Sequence, residues 1–336
     1  MCKKSYKYKV VITEAEYKSF DLEKEELNKV DAEVIVGQCK TEEEIIQIAK
    51  DADGLIVQYA SITRRVIESL EKCKVIARYG IGVDSIDVEA ATEHGICIVN
   101  VPEYCIDEVS DHTMALALTC VRKVVMLDNA VKKGIWDFKI SAPIFRLKNM
   151  RLGLAGFGNI ARMVSLKAQA FGLNVVAYDP YVPSSVMNKI NVKKVNLDDL
   201  LKEADIISLH LPLTKETKYM FAEKEFKSMK NTAFIINTGR GQLIKEEDLY
   251  KALSKKWIAG AALDVTEKEP IDPNNNLLKL DNIIITPHVA FYSDESLRDL
   301  QRSAAKGVAQ VLKGGISSSI VNKEVLKKIN ENLKNK

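Results

Sequence analysis

One stretch of the chain, from Arg151 to Asp179, constrains the fold more than any other. It opens with a short apolar run, Leu152 to Ala155, which leads directly into the sequence GFGNIA at Gly156 to Ala161. A helical pattern follows, and a second apolar run, Asn174 to Tyr178, ends on an acid. This order predicts a strand, a tight turn, a helix and a second strand, the unit that binds a dinucleotide in doubly wound α/β proteins.

The small residues of the turn each have a physical role in such a unit. Gly156 permits the tight turn, Gly158 lets the backbone come close to a pyrophosphate, and Ala161 lets the helix touch the strand. In such units a carboxylate about 20 residues further along the chain accepts a hydrogen bond from a ribose hydroxyl. Asp179, which lies 18 residues after Ala161, has close to this spacing. Glycines of an ordinary βα turn are the alternative, but the flanking strands and the acid favour the dinucleotide.

Asp179 also indicates which dinucleotide is bound. Its carboxylate would repel a 2′-phosphate, and the segment Asp179-Pro180-Tyr181 offers no arginine or lysine close by. One uncompensated charge clash of this kind disfavours NADP by about 2 kcal/mol. We therefore expect NAD (NADH) as the cofactor.

The overall composition excludes several classes of function. A formal net charge of +3 with 28% charged residues gives no reason to expect a nucleic-acid or membrane partner. Only a short apolar run follows the lysines of the amino terminus, so we expect neither a secretory signal nor a membrane span. The six cysteines lie far apart, without a CxxC pattern or a histidine at ligand spacing. We therefore expect reduced thiols, no metal site and a cytoplasmic location.

The first hundred residues alternate regularly between apolar runs and helical patterns. This alternation predicts parallel strands joined by right-handed crossovers, hence a doubly wound α/β sheet of flavodoxin-like kind. The expected strands are 8–13, 33–36, 54–58, 75–77 and 96–99. The helices between them are expected at 22–30, 42–49, 63–70 and 88–93.

The next segment predicts a connection to a second domain. A helical pattern runs from Glu103 to about Lys133, which predicts one long helix between two domains. The alternation then resumes around the dinucleotide unit and predicts a second parallel sheet. Ser293 is the expected cap of a final helix through Leu312, and because no strand follows it, we expect that helix to return to the first domain.

Arg240, Glu269 and His288 each follow a different strand of the predicted second sheet, at its carboxyl end. Ligands of open α/β sheets bind at this edge. An arginine can hold the carboxylate of a 2-oxo acid and polarise its ketone, a histidine can exchange a proton with the developing alkoxide, and a carboxylate can orient the imidazole. Together with a cofactor that carries hydride, these groups predict an oxidoreductase.

Seven motifs connect the chain to a known family: ARYGIGVDSID, NVPEYCIDEVSDHT, GLAGFGNIA, HLPLT, INTGRGQLI, AALDVTEKEP and TPHVA, in this order. From roughly Lys9 to Val321 the chain resembles the D-isomer-specific 2-hydroxyacid dehydrogenases. It is most similar to the branch of bacterial C-terminal-binding-protein relatives and phosphoglycerate dehydrogenases. The resemblance implies a Rossmann NAD-binding domain, 103–290, inserted into a discontinuous flavodoxin-like substrate domain, 1–102 and 291–336. It also implies a homodimer and closure of the two domains around the substrate.

The resemblance also implies roles for individual residues. Arg240 is the expected substrate-binding arginine, Glu269 the acid paired with the histidine, and His288 the catalytic acid/base. Asp264 is expected to hold the nicotinamide carboxamide. The remaining substrate contacts are expected at Tyr59 and at the backbone of Ile81 and Gly82. The full set of expected cofactor contacts is Gly156, Gly158, Asn159, Ile160, Asp179, His210, Pro212, Thr217, Thr238, Arg240, Asp264 and His288.

The expected reaction is the NAD-dependent interconversion of a 2-oxo acid and a D-2-hydroxy acid. Formate dehydrogenases of this fold carry glutamine in place of Glu269, which disfavours that activity. Phosphoglycerate dehydrogenases hold a phosphate with basic residues after the third strand, where this chain has Gln58 to Thr63, so a phosphorylated substrate is disfavoured. Phosphoglycerate dehydrogenase and hydroxypyruvate or glyoxylate reductase stay open as alternatives, as does an NAD(H)-sensing binding protein like the corepressor relatives.

The other three histidines have less specific surroundings in the sequence. His94 ends a predicted helix and is expected to be a capping or surface residue. His112 either packs at the domain junction or supports the cofactor cleft. His210 either lines the nicotinamide side or has a structural role. The sequence does not decide between the two roles of His112, nor between the two roles of His210.

Overall fold

The computed structural model describes residues 5–327. Their contacts divide the chain into two compact units. The first unit combines the residues up to Tyr104 with those from Ser293 onward, and the second runs from Cys105 to Tyr292. The first unit is therefore built from two separate parts of the chain. None of the helices within residues 5–327 has the length and apolar character needed to cross a membrane.

The first unit contains a five-stranded parallel sheet. Its strands are β1 (Tyr8–Ile12), β2 (Ala32–Val36), β3 (Gly54–Val57), β4 (Val75–Arg78) and β5 (Cys97–Val99). Its helices in this part of the chain are α1 (Asp21–Asn28), α2 (Glu42–Ala49), α3 (Arg64–Glu68) and α4 (Val88–Glu93). The strands lie in the order β2-β1-β3-β4-β5. This is the strand order of flavodoxin-like doubly wound sheets, so the predicted fold class is confirmed here.

The second unit contains a seven-stranded parallel sheet. Its strands are β6 (Arg151–Ala155), β7 (Asn174–Tyr178), β8 (Lys193–Lys194), β9 (Ile206–Leu209), β10 (Phe234–Asn237), β11 (Gly260–Leu263) and β12 (Ile283–Ile285). Its helices are α5 (Ile106–Arg122), α6 (Val124–Lys132), α7 (Asn159–Ala170), α8 (Ser184–Asn188), α9 (Leu197–Glu203), α10 (Glu223–Ser228) and α11 (Glu246–Ser254). The strand order is β12-β11-β10-β9-β6-β7-β8. The sequence order therefore reverses between β6 and β9, which is where Rossmann sheets bind their ligands.

Two features of the second unit differ from the sequence-based expectation. The single long helix from Glu103 to Lys133 was wrong, because the segment forms α5 and α6 with Lys123 between them at φ 54°. The apolar pattern continues across Lys123, and such a pattern does not detect one left-handed residue. Strand β8 was not predicted because it consists of two lysines and carries no apolar signal.

A final helix, α12 (Asp294–Leu312), completes the core of the first unit. The side chain of Ser293 accepts from the backbone at the start of this helix and caps it, as predicted. Nε2 of Gln301 donates to Oε1 of the buried Glu23 on α1 (2.9 Å), and the hydroxyl of Tyr79 donates to the same oxygen (2.6 Å). Helix α12 thus satisfies a buried carboxylate that lies far away in the sequence.

Candidate active site

The glycine-rich turn after β6 packs against the end of β9. Gly156 has φ +95°, and a Cβ added there would lie 2.4 Å from the carbonyl oxygen of His210. Only glycine accommodates both the positive φ and this close approach. The turn is thereby fixed at the point where the strand order reverses.

Gly158, two residues further on, has open surroundings. A Cβ added there would meet no atom within 4 Å, and α7 begins directly after it without a side-chain cap from Gly158. The N–H groups of Asn159 and Ile160, in the first turn of α7, are therefore available to an anion such as a pyrophosphate. Ala161 is fully buried, as its expected contact with the sheet requires.

Asp179, directly after β7, ties the glycine-rich turn to its own loop. Its carboxylate accepts from the backbone N–H of Phe157 (2.9 Å), Tyr181 (2.8 Å) and Val182 (3.0 Å). Three charge-assisted hydrogen bonds fix the position of this carboxylate.

A cavity of about 500 Å³ lies beside Asp179, at the carboxyl ends of β7 and β8. Lys193 and Lys194 contribute to its lining, so the cavity has basic side chains that the segment Asp179 to Tyr181 does not itself supply. The two lysines come from β8, a strand that the sequence did not reveal. Nζ of Lys194 is engaged with the carbonyl oxygen of Val182 (2.7 Å). The place of the cavity in the sheet suits the adenosine end of a dinucleotide.

A buried asparagine holds the turn that carries Arg240. Oδ1 of Asn237 accepts from the backbone N–H of Gly239 (3.0 Å), and its Nδ2 donates to the carbonyl oxygen of Arg240 (2.9 Å). The guanidinium donates to the carbonyl oxygen of Gly239 (2.8 Å). A Cβ on Gly241 would lie 1.9 Å from the carbonyl oxygen of Thr266, so this turn and the loop after β11 are in direct backbone contact.

Glu269 and His288 form a hydrogen-bonded pair next to this turn. Nδ1 of His288 lies 2.7 Å from Oε2 of Glu269, and Oε1 accepts from the backbone N–H of Thr266 (3.1 Å). Burial opposes the ionisation of Glu269, but the hydrogen bond and charge of His288, the Thr266 N–H and the charge of Arg240 outweigh it and lower the pKa of Glu269. An ionised carboxylate in this position orients the imidazole and fixes which of its nitrogens faces away from Glu269.

Glu267, which lies only two residues from Glu269, is engaged elsewhere. Its Oε1 accepts from the backbone N–H of Glu246 (2.6 Å), and its Oε2 accepts from the hydroxyl of Tyr219 (3.0 Å). Of these two acids, Glu269 is therefore the partner of His288.

Asp264, at the end of β11, clamps the turn that carries His288. Its carboxylate accepts from Oγ1 of Thr286 (2.6 Å) and from the backbone N–H of Val289 (3.0 Å) and Ala290 (2.9 Å). His288 within this turn has φ 52°, a left-handed conformation that is uncommon outside glycine. Asp264 is 1% exposed and already bound by these donors, so its contact with the nicotinamide carboxamide stays a prediction.

Helix α5 contributes two polar side chains to the same strand ends. Nε2 of His112 lies 3.1 Å from Oγ1 of Thr286 and 3.5 Å from Oδ1 of Asp264. Oγ1 of Thr113 lies 2.8 Å from Oγ1 of Thr238, which directly follows β10. The structure thus places His112 in the network that supports the strand ends.

His210, Pro212 and Thr217 follow β9. Nε2 of His210 lies 2.9 Å from Oγ of Ser208, and burial lowers the pKa of His210 to about 4, so this imidazole is neutral near physiological pH. Oγ1 of Thr217 donates to the carbonyl oxygen of Pro212 (2.6 Å). These contacts order the loop, while its contact with the cofactor stays a prediction.

The expected substrate residues of the first unit lie on the loops after β3 and β4. Tyr59 is 57% exposed. Nδ2 of Asn100 donates to the carbonyl oxygen of Ile81 (2.7 Å), which fixes the loop of Ile81 and Gly82. His94, by contrast, ends α4, where its Nδ1 lies 2.9 Å from the carbonyl oxygen of Ala90.

A carboxylate that sequence reasoning missed lies at the same edge of the first sheet. Oε1 of Glu14, two residues after β1, accepts from the backbone N–H of Gln58 (2.9 Å), Tyr59 (2.5 Å) and Ala60 (2.8 Å). Successive N–H groups directed at one point form an anion-binding nest. No sequence pattern links residue 14 to residue 58, because only the neighbouring positions of β1 and β3 bring them together.

Within residues 5–327, no group of three or more His, Cys, Asp or Glu side chains is arranged to hold a metal ion. The cysteines at positions 39, 73, 97 and 120 are free thiols. Cys2 lies outside the described residues.

Known proteins resemble this chain in sequence. Residues 114–290, just over half of the chain, match the family described as "D-isomer specific 2-hydroxyacid dehydrogenase, NAD binding domain". The chain is 42% identical over 292 residues to a D-3-phosphoglycerate dehydrogenase of Methanocaldococcus jannaschii, a match that covers 86% of this chain and 55% of that protein. The chain therefore spans about half the length of that relative. It is 37% identical over 287 residues to a glyoxylate reductase of Korarchaeum cryptofilum, covering 84% of this chain and 86% of that protein.

A solved structure resembles the chain over almost its whole length. The D-lactate dehydrogenase from Aquifex aeolicus, complexed with NAD and lactic acid, superimposes with a TM-score of 0.81 at 29% identity. The match covers 95% of this chain and 98% of that one.

Proposed function

The chain belongs to the D-isomer specific 2-hydroxyacid dehydrogenases, a family of NAD-dependent oxidoreductases, and we propose that it interconverts a 2-oxo acid and a D-2-hydroxy acid. The observation that carries this proposal is the 2.7 Å hydrogen bond between His288 and Glu269. Arg240 lies close enough for its charge to lower the pKa of Glu269. An imidazole oriented by a carboxylate, beside a guanidinium, is the set of groups that the reduction of a 2-oxo acid requires.

The second unit has the features that NAD requires. Gly158 leaves open space where a side chain would otherwise stand, the N–H groups at the start of α7 suit the pyrophosphate, and a cavity lies beside Asp179. When bound, NADH supplies the hydride. Side chains of the protein bind the substrate, polarise its ketone and exchange the proton.

In the reducing direction, Arg240 holds the carboxylate of the substrate and polarises its ketone. Because Glu269 holds Nδ1 of His288, Nε2 is the nitrogen that exchanges the proton. Nε2 donates this proton to the carbonyl oxygen while the carbonyl carbon accepts the hydride. In the oxidising direction, the neutral imidazole removes the proton from the hydroxyl group. Glu269 stays ionised in both directions, in agreement with its lowered pKa.

We assign a second set of substrate contacts to the first unit. The backbone N–H groups of Ile81 and Gly82 are the proposed partners of the substrate carboxylate, and the exposed ring of Tyr59 is the proposed neighbour of its side chain. The hydrogen bond from Asn100 to the carbonyl oxygen of Ile81 supports this assignment, since a fixed loop can present its N–H groups without further ordering.

Purified protein tests the proposal in an NADH oxidation assay with pyruvate, glyoxylate, hydroxypyruvate, branched 2-oxo acids and 3-phosphohydroxypyruvate. We expect turnover with at least one of these compounds, and its loss in His288→Ala but not in His94→Ala, because His94 lies at the end of α4. Unchanged turnover in His288→Ala would contradict the proposal. NADH binding without turnover of any compound would favour an NAD(H)-sensing protein instead.

We also propose that the chain forms a homodimer through its second unit. Helix α6 has no buried residue, and large apolar side chains between residues 124 and 145 are exposed, with Trp136 at 89% and Phe138 at 80%. A segment that exposes several large apolar side chains next to one another marks an interaction surface. Size-exclusion chromatography with light scattering should give a dimer for the native chain and a monomer for Trp136→Ser/Phe138→Ser. Tyr181→Ser, another exposed aromatic residue of this unit, is the matched control.

We also propose that the protein is located in the cytoplasm. It is supported by the free thiols of Cys39, Cys73, Cys97 and Cys120, which a reducing compartment maintains. Cell fractionation that recovered the protein outside the cytoplasm would contradict it.

A further inference from the structure

The anion-binding nest of the first unit is filled by a side chain of the protein itself. Oε1 of Glu14 accepts hydrogen bonds from the backbone N–H groups of Gln58, Tyr59 and Ala60. Its Oε2 accepts a further hydrogen bond from the hydroxyl of Thr13. The donors that would hold an incoming anion are therefore engaged, and a negative charge already occupies the site.

The nest lies where the fold places a ligand site. Glu14 follows β1 and Gln58 follows β3, and the sequence order of the first sheet reverses between these two strands. Doubly wound sheets bind ligands outside the carboxyl ends of the strands at this point. The loop of Ile81 and Gly82, to which the proposed function assigns the substrate carboxylate, follows β4, the next strand of the same sheet.

The basic residues that follow this loop in sequence do not offset the charge of Glu14. The loop after β3 has no basic residue, and Arg64 and Arg65 already belong to α3. Nη1 of Arg64 donates to Glu93 (2.5 Å), and Nη1 of Arg65 donates to Glu43 (2.6 Å). An anionic group that entered the nest would thus meet the carboxylate of Glu14, and neither Arg64 nor Arg65 would be free to attract it.

We propose that Glu14 determines substrate specificity by excluding 2-oxo acids that carry a second anionic group, either phosphate or carboxylate. The accepted substrates then have an uncharged side chain. This inference rests on the proposed function, because it names the class of 2-oxo acid that the site accepts. Like charges forced together are strongly disfavoured, whereas a hydroxyl or methyl group in the same place is not. Hydroxypyruvate is accepted, and its phosphorylated form is rejected.

Two variants separate the effect of the negative charge of Glu14 from the effect of its hydrogen bonds to the three N–H groups. Glu14→Gln keeps an oxygen acceptor for the three N–H groups but removes the charge, and Glu14→Ala removes both. Glu16→Gln is the matched control, since Glu16 is an exposed acid of the same loop. The measured quantity is the ratio of kcat/KM for hydroxypyruvate to kcat/KM for 3-phosphohydroxypyruvate. A general loss of stability changes both constants together and leaves this ratio unaltered.

The native chain should favour hydroxypyruvate by about a hundredfold or more, as the size of like-charge repulsion implies. The ratio should fall by about tenfold in Glu14→Gln and further in Glu14→Ala, and it should not change in Glu16→Gln. Equal turnover of both substrates by the native chain, or an unchanged ratio in both Glu14 variants, would overturn the inference.

A binding measurement separates this inference from the proposed function. If the native chain reduces no 2-oxo acid, the proposed function fails, and thermal denaturation with inorganic phosphate still tests the nest. Glu14→Ala opens the nest, so phosphate should raise its Tm while leaving the native chain and Glu16→Gln unaffected. An equal response of all three proteins would reject a role for Glu14 in excluding anions, whatever the reaction is.

Discussion

Nδ1 of His288 lies 2.7 Å from Oε2 of Glu269, although the backbone of His288 is held in a left-handed conformation. The turn around His288 is stabilised by the carboxylate of Asp264, which accepts from the two residues that follow. The direction of the imidazole is therefore set by the backbone of the loop after β12 and by its partner on the loop after β11. Both loops begin at the carboxyl ends of neighbouring parallel strands.

Glu269→Gln should lower kcat/KM for 2-oxo acid reduction by about a hundredfold, a typical size for a general acid/base contribution. The glutamine keeps a hydrogen bond to Nδ1 of His288 but removes the negative charge beside the imidazole. The loss of activity as the pH falls through the lowered pKa of Glu269 should be absent from this variant, because a glutamine does not titrate. Steady-state rates across a pH series measure both effects.

Glu267→Gln is the control for this prediction. Glu267 is bound to Tyr219 and Glu246, so its substitution should leave the pH profile in place. A shift in Glu267→Gln, or none in Glu269→Gln, would show that Glu269 does not act through His288.

Arg240→Lys should raise KM for the 2-oxo acid by about tenfold or more, because an ammonium group cannot reproduce the planar pair of donors that a guanidinium offers to a carboxylate. The Kd for NADH should change much less. Initial rates and NADH fluorescence titrations separate the two quantities. Arg302→Lys, which replaces an arginine paired with Glu25 in the first unit, should leave both unchanged.

Gly158→Ala should fold normally and bind NADH at least about tenfold more weakly. The added methyl group meets no atom of the protein within 4 Å, so the Tm without cofactor should be close to that of the native chain. The same methyl group stands where the backbone has to approach the pyrophosphate. Differential scanning fluorimetry with and without NADH tests both statements, and an unchanged cofactor-induced rise in Tm would contradict the second.

His210→Gln should reduce the acid sensitivity of the fold. The pKa of His210 falls from 6.5 to about 4 on burial, so the unfolded chain binds this proton more readily than the folded chain. Stability is therefore full above the unfolded value and declines as the pH falls toward about 4, by at most about 3 kcal/mol from this one group. The loss of Tm between about pH 7 and about pH 4.5 should be smaller in His210→Gln than in the native chain or in His94→Gln. An equal loss in all three would contradict the assignment.

The sequence alone predicted the alternation of strands and helices well, because buried parallel strands are short apolar runs and the helices between them carry periodic apolar faces. Helices α4 and α12 have the limits that their patterns indicate. The break between α5 and α6 at Lys123 was not predicted, since it depends on the conformation of one residue. Strand β8 was not predicted because its two lysines pair with β7 through the backbone alone.

The candidate site was predictable to the extent that it consists of residues at strand ends. Arg240, Glu269 and His288 could be named from their order after three strands, and the resemblance supplied their roles. The contacts between distant segments could not be read in this way. Glu14 meets the loop after β3 only because β1 and β3 are neighbours in the sheet. Lys194 reaches the cavity beside Asp179 because β8, which has no apolar signal, pairs with β7.

The hydrogen bond between Gln301 and Glu23 has a consequence for the newly made chain on the ribosome. The two residues are 278 positions apart, so Glu23 acquires its amide partner only after α12 has been translated. At synthesis rates of about 5–20 residues per second, this delay is roughly 15–55 s. During that time the second unit, complete at Tyr292, can fold while the first lacks α12. The nascent first unit then exposes to solvent the apolar residues that α12 later covers.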